Sequence, residues 1–129
     1  MNILDENVPI HQRQLLKGWH IAVRHIGYEI GRKGMQDDEI IPFLLTLRHP
    51  VFFTFDSDYY KPNLCHARYC LVYMDVNQYE AATFVRRLLH HREFDTEAKR
   101  KGVVIRLSHA GLWAWRLHAE KEIRFDWME

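Results

Sequence analysis

Short apolar runs separated by helix-like segments restrict the fold of this chain more than any other feature. The runs occupy residues 1–4, 51–55, 71–74 and 103–107. Each is too short for a helix and has the length of a buried strand. Amphipathic segments lie between them, at about 9–17, 37–47 and 77–91. Because strands that alternate with helices form parallel sheets covered by those helices, the sequence predicts an α/β fold with a central, mainly parallel sheet.

The remaining segments predict further strands. Residues 19–23 alternate weakly between apolar and polar, and we interpret them as a second strand. Residues 103–107 and 112–117 flank the turn-like stretch 108–111, which predicts a β-hairpin near the C-terminus, and 123–127 is interpreted as an edge strand. At 129 residues the chain has the length of a single domain, which we place at 1–129.

Composition indicates a folded globular protein and excludes a disordered arm. Hydrophobic residues make up 47% of the chain, and 18 basic residues balance 17 acidic ones. No apolar run approaches the roughly 18 residues needed to cross a bilayer, and the first residues lack the pattern of a signal peptide. We therefore expect a cytoplasmic protein without a membrane partner.

Cysteine and histidine residues give weak metal signals. Cys65 and Cys70 flank His66, but their spacing is unusual for zinc and no second cysteine pair completes a tetrahedral site. We interpret the cysteines as reduced structural thiols. We also interpret His66, His90 and His91 as surface residues, because no orienting partner for them is visible in the sequence.

Two carboxylates follow the third apolar run. In an extended backbone Asp56 and Asp58 would point the same way and Ser57 the other. Carboxylates that meet at one spot repel each other unless a cation lies between them or one of them is protonated. The Asp-Ser-Asp sequence is also ordinary turn chemistry, so both interpretations stay open at this point.

Further acids occur where other predicted elements begin or end. Asp5 follows the first apolar run, and Asp37 begins the predicted helix at 37–47. Ligands of open α/β sheets bind at the carboxyl ends of the strands, so these side chains are candidates for one site. Asp38 and Glu39 adjoin Asp37, and all three acids also suit the first turn of a helix, so which acid faces inward stays open.

Two basic pairs are candidates for contact with a polyanion. Arg32 and Lys33 lie in a loop that contains three glycines, and Arg86 and Arg87 lie on the polar side of the helix at 77–91. If a metal neutralised four acids, 18 basic residues would face 13 acidic ones, a net charge of +5. A mildly basic surface around an acidic site suits a polyanionic substrate, although solvated charges of this kind are common.

Three motifs resemble the DUF5615 PIN-like proteins, which are relatives of the VapC-type toxin nucleases. The stretch 4–9 is similar to the family's Asp-Glu-Asn-hydrophobic-Pro opening. Residues 34–41 resemble its Gly-x-x-Asp-x-x-Ile motif, and 54–59 resemble its Thr-x-Asp-x-Asp-aromatic motif. The resemblance covers roughly residues 1–75, and the aromatic-rich segment 112–127 matches no motif of the family.

The resemblance implies a PIN-like three-layer α/β/α fold and a ribonuclease that depends on Mg²⁺ or Mn²⁺. It places catalytic and metal-binding roles on Asp5, Asp37, Asp56 and Asp58. It also implies an RNA substrate and a toxin-like role beside an antitoxin protein, and a homodimer stays open. Hard divalent cations prefer carboxylate oxygens, so these residue types suit the implied chemistry.

Two other functions stay open. Asp56 and Asp58 also resemble the nucleophile and acid of haloacid-dehalogenase phosphatases, although those proteins place the pair near the start of the chain. The second alternative is a non-catalytic PIN-like module that binds RNA or a partner protein, since charge alone does not establish catalysis.

Overall fold

The computed structural model describes residues 1–127, which form one seven-stranded sheet flanked by helices. The strand order is β2-β1-β3-β4-β5-β6-β7. The strands are β1 (Asn2–Leu4), β2 (Arg24–His25), β3 (Val51–Thr54), β4 (Cys70–Met74), β5 (Val103–Ser108), β6 (Gly111–Arg116) and β7 (Ile123–Phe125). Strands β2, β1, β3, β4 and β5 are parallel, whereas β6 pairs antiparallel with both β5 and β7. The predicted α/β class with a mainly parallel sheet is confirmed.

The helices form where the sequence provides amphipathic faces and end caps. They are α1 (Ile10–Gly18), α2 (Asp37–Leu44), α3 (Ala81–His90) and the short α4 (Glu97–Arg100). Single 3-10 turns lie at Ser57–Tyr59, Pro62–Leu64 and Gln78–Glu80. Helix α2 begins with three acids, which its dipole favours, and with a capping box between Gln36 and Glu39.

Two apolar layers cover the two faces of the sheet. On one face, Leu4, Phe53 and Val72 pack in a cluster with buried residues of α1 and α3, and we call this the α1–α3 face. On the other face, Ile3, Phe52 and Leu71 pack with Ile40 and Leu44 of α2, and we call this the α2 face. The split follows from the strand period of two, which sends successive side chains to opposite faces. The layers are therefore compatible with an α/β/α arrangement.

The predicted strand at 19–23 is wrong. The amide of Trp19 still bonds to the carbonyl of Leu15 at the end of α1, and His20 has a φ of 62°, which turns the chain. Ile21 and Val23 pack beside the core without pairing as a strand. The weak alternation at 19–23 therefore reflects partial burial, and the edge strand β2 follows it at Arg24–His25.

Other boundaries also differ from the sequence-based prediction. Strand β3 ends at Thr54, because Phe55 and Asp56 leave the ladder for a 3-10 turn, so the backbone is not extended from Asp56 to Asp58. Helix α2 ends at Leu44, and the segment at 77–91 begins with a 3-10 turn and becomes α-helical at Ala81.

His91 is buried, so its assignment to the surface is wrong. Its side chain contacts the rings of Phe94, Phe125 and Trp127, and its Nε2 lies 2.7 Å from the carbonyl oxygen of Asp126. This orienting partner is 35 residues away in the chain, which is why no local pattern revealed it. His90 is exposed and His66 is half-buried against Tyr69.

Cys65 and Cys70 are free thiols, as expected for reduced structural cysteines. Cys70 is buried in β4, and burial raises the pKa of its thiol to about 12. No helix within residues 1–127 combines the length and the apolar character needed to cross a bilayer.

Candidate acidic site at the carboxyl edge of the sheet

An open cleft lies at the carboxyl edge of the sheet, next to the ends of β1 and β3. It has a volume of about 370 Å³. Its acidic lining residues include Asp5 after β1, Asp37 at the start of α2 and Asp56 after β3. Parallel β1 and β3 both end at this edge, which is the physical reason that residues far apart in sequence meet here.

Asp5 is a half-buried acid of the cleft whose two carboxylate oxygens both accept hydrogen bonds. Its Oδ2 accepts a 2.7 Å hydrogen bond from the hydroxyl of Thr54, and its Oδ1 accepts one of 2.8 Å from the amide of Glu6. Burial raises the pKa of Asp5, these two hydrogen bonds partly offset that rise, and the charges of Asp56 and Asp37 add to it. Asp5 is therefore a carboxyl group held in one orientation and more basic than an exposed aspartate.

Asp37 is the acid of the α2 triplet that enters the cleft. Its Oδ1 accepts a 3.2 Å hydrogen bond from the hydroxyl of Tyr59. Tyr59 is buried, with its ring edge-on to Phe52 at 5.2 Å between centroids, and burial followed by the charge of Asp37 raises the pKa of the phenol. The Glu39 side chain instead caps α2 by accepting from the amide of Gln36. Of the three acids at 37–39, Asp37 is therefore the one that lines the cleft.

Asp56 and Asp58 combine the two roles that the sequence left open. The Oδ1 of Asp56 accepts a 2.9 Å hydrogen bond from the amide of Asp58, which is turn chemistry. The same turn brings one carboxylate oxygen from each of Asp37, Asp56 and Asp58 within 4.8 Å of one another. The acids converge because of the turn and not because of a continued strand.

The spacing of these three oxygens suits a divalent cation. Two oxygens bound to Mg²⁺ at about 2.1 Å lie about 3.0 Å apart when adjacent and about 4.2 Å apart when opposite. The observed limit of 4.8 Å exceeds the opposite separation by about 0.6 Å and the adjacent separation by about 1.8 Å. Because Asp37 and Asp58 are exposed, small side-chain rotations can close that gap.

Asp5 and Asp58 occupy different parts of the site. Asp5 lines the cleft with Asp37 and Asp56 but is not part of the group of oxygens within 4.8 Å, whereas Asp58 belongs to that group and does not line the cleft. The structure therefore separates a triad of candidate ligands from a half-buried acid beside it.

The predicted basic contacts do not line the cleft. Arg32 pairs with Glu39, and the Lys33 ammonium lies 5.0 Å from the centroid of the Tyr28 ring. Their loop does reach the site, because the amide of Gly34 donates a 2.8 Å hydrogen bond to Glu6 and Gly34 itself is a lining residue. Arg32 and Lys33 thus belong to the loop that forms a wall of the cleft.

The guanidinium groups of Arg86 and Arg87 both lie over aromatic rings. Arg86 lies 3.9 Å from the ring centroid of Trp19, and Arg87 lies 4.2 Å from that of Trp127. Both arginines are half-buried on α3, and neither is among the residues that line the acidic cleft. Their contacts stabilise the packing of α3 against neighbouring segments.

Four further residues at this edge of the sheet were not selected from the sequence. Glu6 lines the cleft, Thr54 joins Asp5 to the next segment, Tyr59 holds Asp37, and Asp75 follows β4 at the same edge. The hydroxyl of Thr54 also accepts a 3.0 Å hydrogen bond from the amide of Asp56. Their position in the sequence could have indicated them, because a polar residue at the carboxyl end of a parallel strand lies at the edge where ligands bind.

Comparisons with known proteins do not identify the chain. No family model matches it, no curated protein matches it and no solved structure matches it. The similarity to PIN-like proteins therefore stays a prediction from three motifs, and the site must be interpreted from its own geometry.

Proposed function

We propose that this chain is a ribonuclease that hydrolyses RNA phosphodiester bonds with Mg²⁺ or Mn²⁺ bound by carboxylates. The observation that carries the proposal is the convergence of Asp37, Asp56 and Asp58 within 4.8 Å at a cleft that Asp5 also lines. Three separate segments supply these acids: the end of β1, the start of α2 and the turn after β3.

The charge of the cleft supports a bound cation. Asp5, Glu6, Asp37 and Asp56 line it, and no lysine or arginine is among the described lining residues. An anionic substrate would be repelled by such a surface unless a cation neutralised it. Asp37, Asp56 and Asp58 would hold that cation, which when bound supplies a water of lowered pKa and neutralises charge on the phosphate.

Asp5 is suited to accept a proton at this site. Its pKa is raised, chiefly by burial, so it is a stronger base than an exposed aspartate. Thr54 and the amide of Glu6 fix its orientation. In this proposal Asp5 takes the proton of the attacking water, and Tyr59 keeps Asp37 pointed into the cleft.

The phosphatase alternative is less well supported by the same geometry. An aspartyl nucleophile in that class works beside a lysine, and no lysine lines the cleft within the described part of the chain. The Oδ1 of Asp56 also accepts the Asp58 amide. A non-catalytic module remains the second candidate, because an acidic cleft binds cations whether or not turnover follows.

The finer parts of the proposal rest on the three motifs. They are the PIN-like assignment of the α/β fold and the toxin-like role beside an antitoxin protein, whereas the terminal hairpin is proposed from the strand pattern of 103–107 and 112–117. The order of β1, β3 and β4 with an acid directly or shortly after each is consistent with such a fold.

The test is cleavage of labelled single-stranded RNA and transfer RNA. We expect cutting with Mn²⁺, none with EDTA, and a loss of at least about a hundredfold in the Asp5→Asn/Asp56→Asn double variant. Asp95→Asn is the matched control, because Asp95 is an exposed acid paired with Lys99 elsewhere. Cutting that survives EDTA or the double substitution would contradict the proposal.

A further inference from the structure

One row of side chains crosses the sheet beside the acidic cleft. Tyr73 of β4 pairs in register with Arg106 of β5, and Arg106 pairs with Trp113 of β6. Trp113 in turn pairs with Arg124 of β7. Neighbouring strands lie about 4.8 Å apart, so the row from Tyr73 to Arg124 is about 14 Å long.

The row begins at the site. The registered partner of Tyr73 on β3 is Thr54, whose hydroxyl donates to Asp5 and accepts from the amide of Asp56. Asp75, which follows β4, forms an ion pair of 2.9 Å with Arg106. The row therefore extends directly from the acidic cleft towards β7.

The row lies on the α2 face but outside the packed core. Side chains two residues apart share a face, so Tyr73 and Arg106 lie on the same face as Leu71 and Val104. Within residues 1–127, neither core cluster includes Tyr73, Arg106 or Trp113. The side chains of Arg106 and Arg124 are 35% and 49% exposed. A ligand can therefore reach this part of the sheet.

The chemistry of the row alternates rings with guanidinium groups. The Arg106 guanidinium lies 4.6 Å from the Trp113 ring centroid, and that of Arg124 lies 5.5 Å from it. Rings and guanidinium planes stack on nucleic acid bases, and guanidinium groups also bind phosphates. A strand with a rise of about 3.4 Å per nucleotide would place about four nucleotides along the row.

The carboxylates beside the row do not block such a ligand. Arg106 pairs with Asp75 and Arg124 with Asp126, and a third acid, Glu122, accepts a hydrogen bond from the hydroxyl of nearby Tyr60. Exposed ion pairs contribute little free energy, so a phosphate can replace either carboxylate at small cost. Binding here would depend mainly on stacking, with the charge balance setting its strength.

We propose that Tyr73, Arg106, Trp113 and Arg124 form a binding surface for single-stranded RNA that leads into the acidic cleft. This inference rests on the proposed function for its connection to hydrolysis. It extends that function by naming a single strand, stacked across β4–β7, as the form of substrate that the chain binds. It also gives a role to the aromatic-rich C-terminal region.

The test measures binding without cleavage. A fluorescein-labelled oligouridine of 12 nucleotides is titrated with the protein in EDTA, and anisotropy gives the Kd. The row variants are Trp113→Leu, Arg124→Gln and Asp75→Asn. The controls are Trp19→Leu, a half-buried tryptophan on the α1–α3 face, and Asp95→Asn, an exposed acid that also pairs with a cation.

We expect Trp113→Leu to weaken binding at least about fivefold, the lower range for loss of one stacked base. Asp75→Asn should tighten binding at least about twofold, because it frees Arg106 for a phosphate. Both controls should stay within about twofold of wild type. If Trp113→Leu melts early, Arg124→Gln serves instead, since about half of the Arg124 side chain is exposed, and it should weaken binding about threefold.

Three results would overturn the inference: no binding by the wild type, an unchanged Kd in Trp113→Leu and Arg124→Gln, or an equal loss in Trp19→Leu. An oligodeoxyuridine of the same length tests whether the ribose 2′-hydroxyl contributes to binding. If the wild type binds the DNA and RNA strands equally, and Trp113→Leu weakens both to the same extent, the row binds single strands of either kind. Binding through the row without any cleavage would refute the nuclease and leave the surface intact. Cleavage by the wild type together with an unchanged Kd in the row variants would refute the binding surface and leave the nuclease proposal intact.

Discussion

Replacing Thr54 by valine tests how the site is held together. The substitution keeps the shape of the side chain and removes a hydroxyl that is fully buried. That hydroxyl donates 2.7 Å to the carboxylate of Asp5 and accepts 3.0 Å from the amide of Asp56. No other single side chain of the described site connects these two acidic segments through both bonds.

The magnitude follows from the two bonds. Loss of the charge-assisted bond to Asp5 costs about 1.5–3 kcal/mol, and loss of the acceptor for the Asp56 amide about 0.5–1.5 kcal/mol. Burying a methyl group instead of a hydroxyl returns about 1 kcal/mol. The net loss is about 2 kcal/mol, which for 129 residues lowers Tm by about 7 °C. The pKa of Asp5 should also rise further, because the hydroxyl now lowers it.

Thermal and denaturant unfolding measure this loss, with Thr54→Ser as the matched variant. Serine keeps the hydroxyl and loses one buried methyl, so it should cost about 1 kcal/mol, or about 4 °C. Thr46→Val is the surface control, since its hydroxyl donates to the carbonyl of Phe43 at an exposed position. Two results would contradict this prediction. One is a Tm for Thr54→Val equal to that of Thr54→Ser; the other is a Tm within about 2 °C of the wild type, which corresponds to an effect of about 0.5 kcal/mol.

Three further predictions concern the metal, pH and a turn. For a site with Kd of about 1 mM, 10 mM Mg²⁺ should stabilise the wild type by about 1.4 kcal/mol and raise Tm by about 5 °C, and should raise that of Asp56→Asn much less. Burial lowers the pKa of His25, so the unfolded state binds more protons and the free energy of unfolding should fall as pH drops from about 7 to 5.5. In Gly111→Ala the new Cβ would lie 2.8 Å from the carbonyl oxygen of Phe125, at a φ of +148°, which should cost about 2 kcal/mol. Gly18→Ala, with nothing within 4 Å, should stabilise by about 0.5 kcal/mol.

Each of these predictions has a result that contradicts it. Equal increases of Tm with Mg²⁺ in the wild type and in Asp56→Asn would contradict the proposed metal site. His25→Gln should flatten the pH dependence, since it removes the buried imidazole that contacts the ring of Tyr28 and keeps the backbone amide bonded to Glu29. An unchanged slope would assign that dependence to other groups. Equal Tm values for Gly111→Ala and Gly18→Ala would show that the chain near Phe125 shifts without cost.

The sequence alone determined the elements that burial enforces. The runs at 51–55, 71–74 and 103–107 are apolar because they lie inside the sheet, so their length and composition predicted β3, β4 and β5. Helix α3 was predicted from its apolar stripe for the same reason. The three short acidic motifs also predicted that Asp5, Asp37 and Asp56 lie at one edge of the sheet, where all three line the cleft. They did so because residues at the carboxyl edge of a parallel sheet follow strands or begin helices.

Tertiary structure decided what depends on contacts between distant residues. The segment 19–23 alternates as a strand would, yet β1 pairs instead with Arg24 and His25, which sequence pattern could not distinguish. The burial of His91 depends on the carbonyl of Asp126, and the orientation of Asp37 depends on the hydroxyl of Tyr59, 22 residues away.

The alignment of Tyr73, Arg106, Trp113 and Arg124 is the clearest case of this kind. It results from the register of four strands, and a shift of one residue in any strand would send its side chain to the opposite face. Local propensity sets where strands begin and end, whereas register is a property of the pairs. The chain thus encodes its acids in short motifs, and only the folded sheet places them beside this row of side chains.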